Sequence, residues 1–180
     1  MGNPFEDLKH EHEAILFSLK MLSTMANLAK EGRSLNVDDA LTIVDFLKEF
    51  ADRCHHGKEE GILFPALERA GIPREGGPIG VMLHEHELGR GHIREMERSL
   101  RKEPIELGAF TRSVGAYRGL LTQHIEKENT VLFPMGERAL DSRSQNAIFE
   151  LFEEHEEKVI GAGRHEALHA MLDEFGEKYL

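Results

Sequence analysis

Two eleven-residue segments of the sequence carry the same chemical groups at the same spacing. HHGKEEGILFP begins at His55 and HIEKENTVLFP begins at His124, and each holds a histidine, a glutamate four residues later and a Leu-Phe-Pro ending. On a helix, a four-residue step places each histidine and its glutamate on one face, one turn apart. Imidazole beside carboxylate, presented twice, is the ligand set of a pair of first-row transition-metal ions. The repeat therefore predicts a metal centre that includes Glu59 and Glu128.

Two more histidines come from a repeated His-Glu-His-Glu tetrapeptide, at residues 10–13 and 84–87. The histidines of each tetrapeptide point about 200° apart around a helix, so only one of each pair can face a core. Apolar residues in both surrounding segments alternate spacings of three and four, and His12 and His86 lie on those stripes. His10 and His84 do not. His12 and His86 are therefore the predicted partners of the two repeated motifs.

The resulting six residues are predicted metal ligands: His12, His55, Glu59, His86, His124 and Glu128. An ionised carboxylate buried without a partner costs several kcal/mol, and neither stripe carries a lysine or arginine at these levels. The alternative is that each histidine is a satisfied core or interface residue, which is ordinary for one histidine but not for six ligand-type residues on buried faces. A metal cluster explains the glutamates and histidines together.

The donor types indicate which metals fit. Four imidazole nitrogens and two carboxylates that can bridge match a non-haem di-iron or di-manganese centre. Structural zinc prefers cysteine and four ligands, and calcium and magnesium prefer oxygen. Six protein ligands on two ions leave coordination positions free for oxygen, nitric oxide, peroxide, azide or water.

These residues require four long amphipathic helices to position them. The patterns predict a first helix that starts at Asn3-Pro4 and ends at residues 31–34, a second over about Asp38–Arg69, a loop over residues 70–78, and a third broken at residues 102–104. The fourth carries Phe110 to Met135. Short connections favour an all-α, antiparallel up-down four-helix bundle over residues 1–140. Residues 141–180 are predicted to add one or two helices packed on the bundle, separated at Gly161 and Gly163.

Composition limits the class of protein. The chain has 180 residues, 40% hydrophobic and 31% charged, which is typical of a globular domain. No apolar run approaches the roughly 18 residues of a membrane span, and the N-terminus lacks the pattern of a signal peptide. The net charge of −11, without a basic cluster, disfavours nucleic acid and anionic membranes as partners. A single cysteine, Cys54, excludes an internal disulfide and suits a reducing cytoplasm.

With these motifs the sequence resembles the hemerythrin-like (HHE cation-binding) family over roughly Phe5 to Arg138. The resemblance rests on Glu11-His12, Glu85-His86 and the two His-x-x-x-Glu…Leu-Phe-Pro segments. It implies a four-helix bundle with two non-haem Fe ions joined by carboxylate and oxo bridges, with Mn or Zn as alternatives. It also implies that His12 and His55 bind one iron, that His86 and His124 bind the other, and that Glu59 and Glu128 bridge them.

The sequence departs from the oxygen-carrying members of this family in two places. Their third helix carries two histidines four apart, whereas here Arg90 stands four residues after His86. Their fourth helix uses a histidine and an aspartate five apart, whereas here the pair is His124 and Glu128. The pattern is closer to six-ligand relatives, which include nitric-oxide-stress iron–sulfur repair proteins and an iron-sensing ubiquitin-ligase module. A cysteine-bearing N-terminal domain of the kind common in the repair proteins is not expected here.

The expected function is to bind, sense or detoxify a small oxidant such as oxygen, nitric oxide or peroxide. One alternative is a di-iron enzyme with peroxidase, catalase-like, nitric-oxide-reducing or repair-like activity. Another is a metal-responsive module whose C-terminal helices contact a protein partner or a second copy. All three require the same ligands, so the sequence leaves them open.

Two other features have separate interpretations. The segment from His165 to His169 matches the H-E-x-x-H pattern of zinc proteases, but the pattern is short, the chain has eleven histidines, and only eleven residues follow. A solvated helix face is the expected interpretation. Tyr117 lies seven residues before His124 on the same stripe and is expected to be a core aromatic, with a hydrogen bond to the centre as the alternative.

Overall fold

The structure, a computed structural model, describes residues 2–180, and its elements in that range are all helices joined by turns and loops, with no strand. Six helices follow in chain order: α1 (Pro4–Lys30), α2 (residues 37–69), α3 (Pro78–Leu100), α4 (residues 107–139), α5 (Ser142–Val159) and α6 (Arg164–Tyr179). The all-α bundle with two further helices at the C-terminus is therefore confirmed. None of the helices in the described range combines the length and apolar character that a bilayer crossing requires.

The helix ends follow from local sequence. The Asn3 side chain caps α1 by accepting a 2.9 Å hydrogen bond from the Phe5 N–H, with Pro4 at the first helical position. Asp141 caps α5 in the same way through the N–H of Ser144. Gly161 and Gly163 both adopt positive φ between α5 and α6, a conformation open to glycine without strain. The predicted boundaries therefore lie where capping and turn residues place them.

The four long helices run antiparallel to their neighbours. In each pair, residue numbers fall along one helix as they rise along the other. The contacts that establish this are Asp7–Lys58 and Glu11–His55 for α1 and α2, Lys48–Glu97 and Asp52–Arg90 for α2 and α3, Glu85–Lys127 and Arg98–Glu106 for α3 and α4, and Phe5–Phe133 and His12–Asn129 for α1 and α4. The up-down order places the middle of every helix at the same level.

Two apolar clusters fill the bundle, one toward each end. The upper cluster takes residues from Ala14 onward in α1, up to Ala51 in α2, from Ile93 in α3 and up to Ile125 in α4. The lower cluster takes the other ends of the same four helices, including Phe5, Leu63, Met82 and Phe133. The predicted ligands lie between the two clusters, with His124 next to Ile125, the last residue of the upper cluster in α4. The metal-binding residues are therefore the middle layer of one core.

Helices α2 and α4 are not α-helical throughout. Segments Leu47–His56 and Glu59–Leu63 of α2 and Glu128–Leu132 of α4 are π-helical, with i→i+5 hydrogen bonds. The segments that end at Leu63 and Leu132 each stop two residues before a proline. Proline has no N–H for an i→i−4 bond and its ring clashes with that carbonyl, which accounts for the local widening. Such segments are frequent at functional sites, and these carry His55, Glu59 and Glu128.

The C-terminal helices cover the bundle. Ile148 and Phe152 of α5 join the lower cluster, and Leu168 and Leu172 of α6 join the upper one. Helix α6 packs on α1, and α5 packs on α1 and α2. Phe149, Val159 and Phe175 of the same two helices are only half-buried.

Candidate metal centre

All six predicted ligands converge in the layer between the two clusters. His12, His55, His86 and His124 are each 1% exposed, and both glutamates are fully buried. His10 and His84 are exposed, as expected for residues off the apolar stripes. Four helices thus direct ligand-type side chains to one place, although ligation itself remains a prediction.

Each glutamate presents one oxygen to each half of the centre. Glu128 Oε2 lies 3.2 Å from His12 Nε2, and its Oε1 lies 3.2 Å from His124 Nε2. Glu59 Oε1 lies 3.7 Å from His55 Nε2, and its Oε2 lies 3.3 Å from His86 Nε2. Two carboxylates that each span two imidazoles have the arrangement of bridging ligands.

The potential ligand atoms form two groups that share a carboxylate. His12, His55, Glu59 and Glu128 place one ligand atom each within 4.8 Å of one another, and so do His56, Glu59, His86 and His124. Since Glu59 belongs to both groups, two neighbouring ions could share it. The grouping places His12 with His55 and His86 with His124, and adds His56 to the second pair.

The residues fit a cation because the carboxylates lack any other partner. Within residues 2–180, neither oxygen of Glu59 or Glu128 has a hydrogen-bond donor outside the imidazoles around it. Burial, followed by the nearby Glu128 carboxylate, raises the pKa of Glu59 to about 7. Although burial opposes it, Glu128 beside His124 raises the pKa of that imidazole to about 9. Buried charge of this kind is expected only with a partner or a metal.

In each of the four histidines predicted to be ligands, the Nδ1 atom faces a hydrogen-bond acceptor on another helix. Nδ1 of His12 lies 2.9 Å from Asn129 Oδ1, and Nδ1 of His55 lies 2.7 Å from Glu11 Oε2. Nδ1 of His86 lies 2.7 Å from Glu60 Oε1, and Nδ1 of His124 lies 3.0 Å from Glu85 Oε2. An acceptor-only carboxylate fixes the proton on Nδ1 and leaves the Nε2 lone pair directed inward. Metal-binding histidines are typically oriented this way.

Cations in turn hold the outer carboxylates. Arg90 donates to Glu60 at 2.7 Å and to Asp52 at 2.8 Å, Lys127 pairs with Glu85, and Lys58 donates to Glu11 at 2.7 Å. Arg90, which stands where oxygen carriers have a second histidine, therefore supports the ligands rather than acting as one. Glu60, between His86 and Arg90, belongs to this outer layer.

Lys58 is a buried cation that the sequence patterns do not predict. It is 1% exposed and its Nζ also lies 3.0 Å from both Asp7 Oδ2 and Glu156 Oε2. Burial lowers its pKa, but the Glu11 and Asp7 carboxylates more than offset this and raise the pKa well above its usual value. Although adjacent to Glu59 in sequence, Lys58 pairs with carboxylates of α1 and α5.

His56 is the buried histidine that the stripe argument omits. It is 2% exposed and its ring stacks on that of His86, with centroids 3.8 Å apart. A regular α-helix would turn it about 100° from His55. The available sequence signal is the steady four-residue spacing of buried positions before it, Ile43, Leu47 and Ala51, which is longer than the 3.6 residues of an α-helical turn.

The remaining motifs lie away from the centre or serve packing. His165 and His169 are half-buried beside Phe50, with their Nε2 atoms 2.8 Å apart, so the helix face expected to be solvated is only partly exposed. The Tyr117 hydroxyl has no partner among the described residues, and Tyr117 packs against Gly89. Burial raises the pKa of the Cys54 thiol to about 12, consistent with a core residue.

Comparison with known proteins agrees with this geometry. Iron-sulfur cluster repair protein YtfE of Edwardsiella ictaluri is 37% identical over 98 residues, which cover 51% of this chain and 43% of that protein. The protein of the same name from Dickeya chrysanthemi is 35% identical over 114 residues, 58% of this chain and 48% of its own length. The chain thus spans about half the length of these curated relatives. The family model described as Hemerythrin HHE cation binding domain matches residues 3–136, so the chain belongs to the hemerythrin HHE cation-binding family.

Proposed function

We propose that this protein holds two non-haem iron ions between His12, His55, Glu59, His86, His124 and Glu128, and uses them to bind, sense or detoxify a small oxidant. The observation that carries the proposal is the pair of buried, otherwise unpartnered carboxylates, each with one oxygen toward each half of the histidine set. Family membership supports a cation at this place. The similarity to proteins named for iron–sulfur cluster repair supports iron.

The donor set favours iron or manganese over zinc. Imidazole with bridging carboxylate suits iron and manganese, whereas a structural zinc site would use four ligands and commonly cysteine. Cys54, the one cysteine, is fully buried and belongs to neither of the two groups of potential ligand atoms that share Glu59. A bound iron pair would supply redox chemistry and positions for exchangeable ligands.

Burial restricts what could reach the centre. Each of the six ligands is at most 1% exposed, and the two apolar clusters close the layer from both ends. A bulky substrate would have to displace core side chains, whereas oxygen, nitric oxide or peroxide would not. The protein's own contribution is to hold the imidazole Nε2 atoms inward and to keep bulk water out.

A second candidate is an enzyme that uses the same centre, including a repair-like activity, and it is favoured by the two relatives named for that activity. The interaction module gains less support, because Leu151 is the single large apolar side chain exposed within α5 and α6 in the described chain. A cytoplasmic location is part of the proposal, since one buried thiol suits a reducing compartment.

The test is aerobic purification with metal quantification, followed by optical spectra on addition of azide, peroxide or nitric oxide. Two irons per chain, with a charge-transfer band that responds to azide, would support an open di-iron centre. A single tightly bound zinc ion, with no change in the spectrum on addition of azide, would contradict the proposal.

Matched histidine variants identify the ligands. His55→Ala and His124→Ala each remove one proposed ligand from a different half and should reduce bound iron from two to one or none. His10→Ala and His84→Ala remove exposed histidines from the same tetrapeptides as His12 and His86 and should keep both irons. If the His10→Ala and His84→Ala variants lost iron while the His55→Ala and His124→Ala variants kept it, the ligand assignment would be wrong.

A further inference from the structure

His165 and His169 of α6 converge on each other through one ring nitrogen each. Their Nε2 atoms lie 2.8 Å apart, although their ring centroids are 4.7 Å apart. Because the nitrogens are much closer than the rings, the two imidazoles meet at their Nε2 edges and do not lie face to face. Two nitrogens that bind one ion at about 2.0–2.1 Å, at an angle of roughly 90–110°, lie about 2.8–3.4 Å apart. The pair therefore has the spacing of a chelate on one turn of a helix.

Contacts with α5 and α2 hold the two rings in this orientation. His165 Nδ1 faces Glu156 Oε1 of α5 in a short contact, and Lys58 holds the other oxygen of that carboxylate at 3.0 Å. Because an ionised carboxylate only accepts, the proton of a neutral His165 lies on Nδ1 and the lone pair lies on Nε2. Phe50 meets both imidazoles edge-on, with centroids 5.7 and 6.1 Å away. A carboxylate behind Nδ1 is the usual orientation of a metal-binding histidine.

His169 can supply the second lone pair at neutral pH. Burial, followed by the His165 imidazole, lowers the pKa of His169, so this ring is neutral at pH 7. In the metal-free protein a proton between the two Nε2 atoms satisfies both nitrogens. A shift of that proton to Nδ1 of His169 leaves two lone pairs that converge on one cation.

Solvent reaches the pair through two grooves that carry negative charge. His165 borders a groove between α5 and α6 that also exposes Glu153 and Glu157. His169 borders a groove between α1 and α6 whose lining includes the carboxylates of Glu13 and Asp173. With a net charge of −11 on the chain, these grooves favour the approach of a cation.

We propose that His165 and His169 together bind one divalent transition-metal ion, such as Zn²⁺, at the surface of α6. The site is separate from the middle layer of the bundle and does not depend on the proposed iron pair. Both imidazoles bind through Nε2, and water or the carboxylates of the grooves complete the coordination of the ion. Because the ion joins two successive turns of α6 in the folded protein, it stabilises the fold.

Asparagine at either position separates ligation from packing. Its amide takes the place of Nδ1, so His165→Asn keeps a donor for Glu156, but neither His165→Asn nor His169→Asn has an atom at the Nε2 position. His84→Asn is the control, because that histidine is exposed on α3. Each full-length protein is loaded anaerobically with ferrous iron and then titrated with Zn²⁺ by calorimetry. Zinc content, iron content, melting temperature and helical circular dichroism are measured.

If the pair is a metal site, wild type and His84→Asn bind one zinc ion per chain without loss of iron, and their melting temperatures rise. His165→Asn and His169→Asn keep the wild-type iron content and circular dichroism but lose this zinc and the rise in melting temperature. If wild type binds no zinc beyond the middle layer, or if both variants bind it as wild type does, the pair is a hydrogen bond only and the inference is wrong. If iron does not load but one zinc per chain still separates wild type from the two variants, the inference stands and the di-iron proposal fails.

Discussion

At the scale of single residues, the centre depends on which imidazole nitrogen faces inward. Nδ1 of each histidine predicted to be a ligand is directed at a carboxylate or amide oxygen on a neighbouring helix, as with His55 and Glu11 or His86 and Glu60. The Nε2 atoms are thereby left for the centre. Burial, followed by the neighbouring His86 imidazole, lowers the pKa of His56 to about 4, whereas Glu128 beside His124 raises the pKa of that group to about 9. The metal-free centre therefore holds protons that a metal must displace.

Metal uptake should release protons at neutral pH. His124, with a pKa of about 9, is protonated at pH 7 in the metal-free protein, and the pKa of His12 is also raised because of Glu128, against the effect of burial. Since a metal binds neutral imidazole, affinity should increase as pH rises from 6 to 9 and level off above the pKa of His124. Calorimetric titration in two buffers of different ionisation enthalpy should show about one to two protons released per centre filled. An identical heat in both buffers would contradict this assignment.

At the scale of elements, glycine positions decide how closely the helices approach. A Cβ at Gly136 of α4 would lie 2.7 Å from Phe5 Cζ and 2.9 Å from Leu67 Cδ2, so this glycine lets α4 meet α1 and α2 in the lower cluster. A Cβ at Gly119 of the same helix would meet nothing within 4 Å. Gly119 borders an open groove of about 390 Å³ between α1 and α4. One glycine is required by packing and the other is not.

Alanine at these two positions should have opposite effects on stability. Gly136→Ala overpacks the lower cluster. We expect the free energy of unfolding to fall by about 1–2 kcal/mol, with the gain in helix propensity already included. Gly119→Ala should stabilise by roughly 0.5–1 kcal/mol, because it restricts the unfolded chain without a clash. Urea denaturation of the metal-free proteins measures both changes. Equal stabilisation by the two substitutions would show that α4 does not approach Phe5 this closely.

At the scale of the whole molecule, one buried lysine joins the C-terminal part to the bundle beside the centre. Lys58 of α2 reaches Glu11 of α1 and Glu156 of α5, and its Nζ lies 5.6 Å from the Phe152 ring centroid. Glu11 in turn holds His55. A single ammonium therefore connects α5, the outer carboxylate layer and a predicted ligand.

Removal of this ammonium should weaken both the fold and its connection to α5. Lys58→Met keeps most of the side-chain volume but leaves the Glu11 carboxylate buried without its cation. We therefore expect the free energy of unfolding to fall by about 3 kcal/mol, the lower end of the range for breaking a buried ion pair. That corresponds to a melting temperature roughly 6–12 °C lower. Lys158→Met, at an exposed pair with Glu154, is the control and should change stability by less than about 0.5 kcal/mol. Equal melting temperatures for both variants would show that the buried pair contributes little.

Periodicity and spacing in the sequence were sufficient for the helices, their order and the two sets of inward histidines. His12 and His86 could be separated from His10 and His84 because a regular helix turns successive even positions about 200° apart. The same rule failed at His56, because it assumes 3.6 residues per turn and α2 is π-helical there. Lys58 was missed for another reason: it lies off the apolar stripe, and α5, which closes over it, is far away in sequence.

The sequence by itself therefore determined which residue types face the core, because helical periodicity is a local property of the chain. Tertiary structure decided what each of those residues meets. The acceptors behind the histidines, the cation on Glu11 and the unpaired nitrogen of His56 depend on contacts between different helices. Such contacts follow from the packing of all six helices together, which spacing along one helix does not specify.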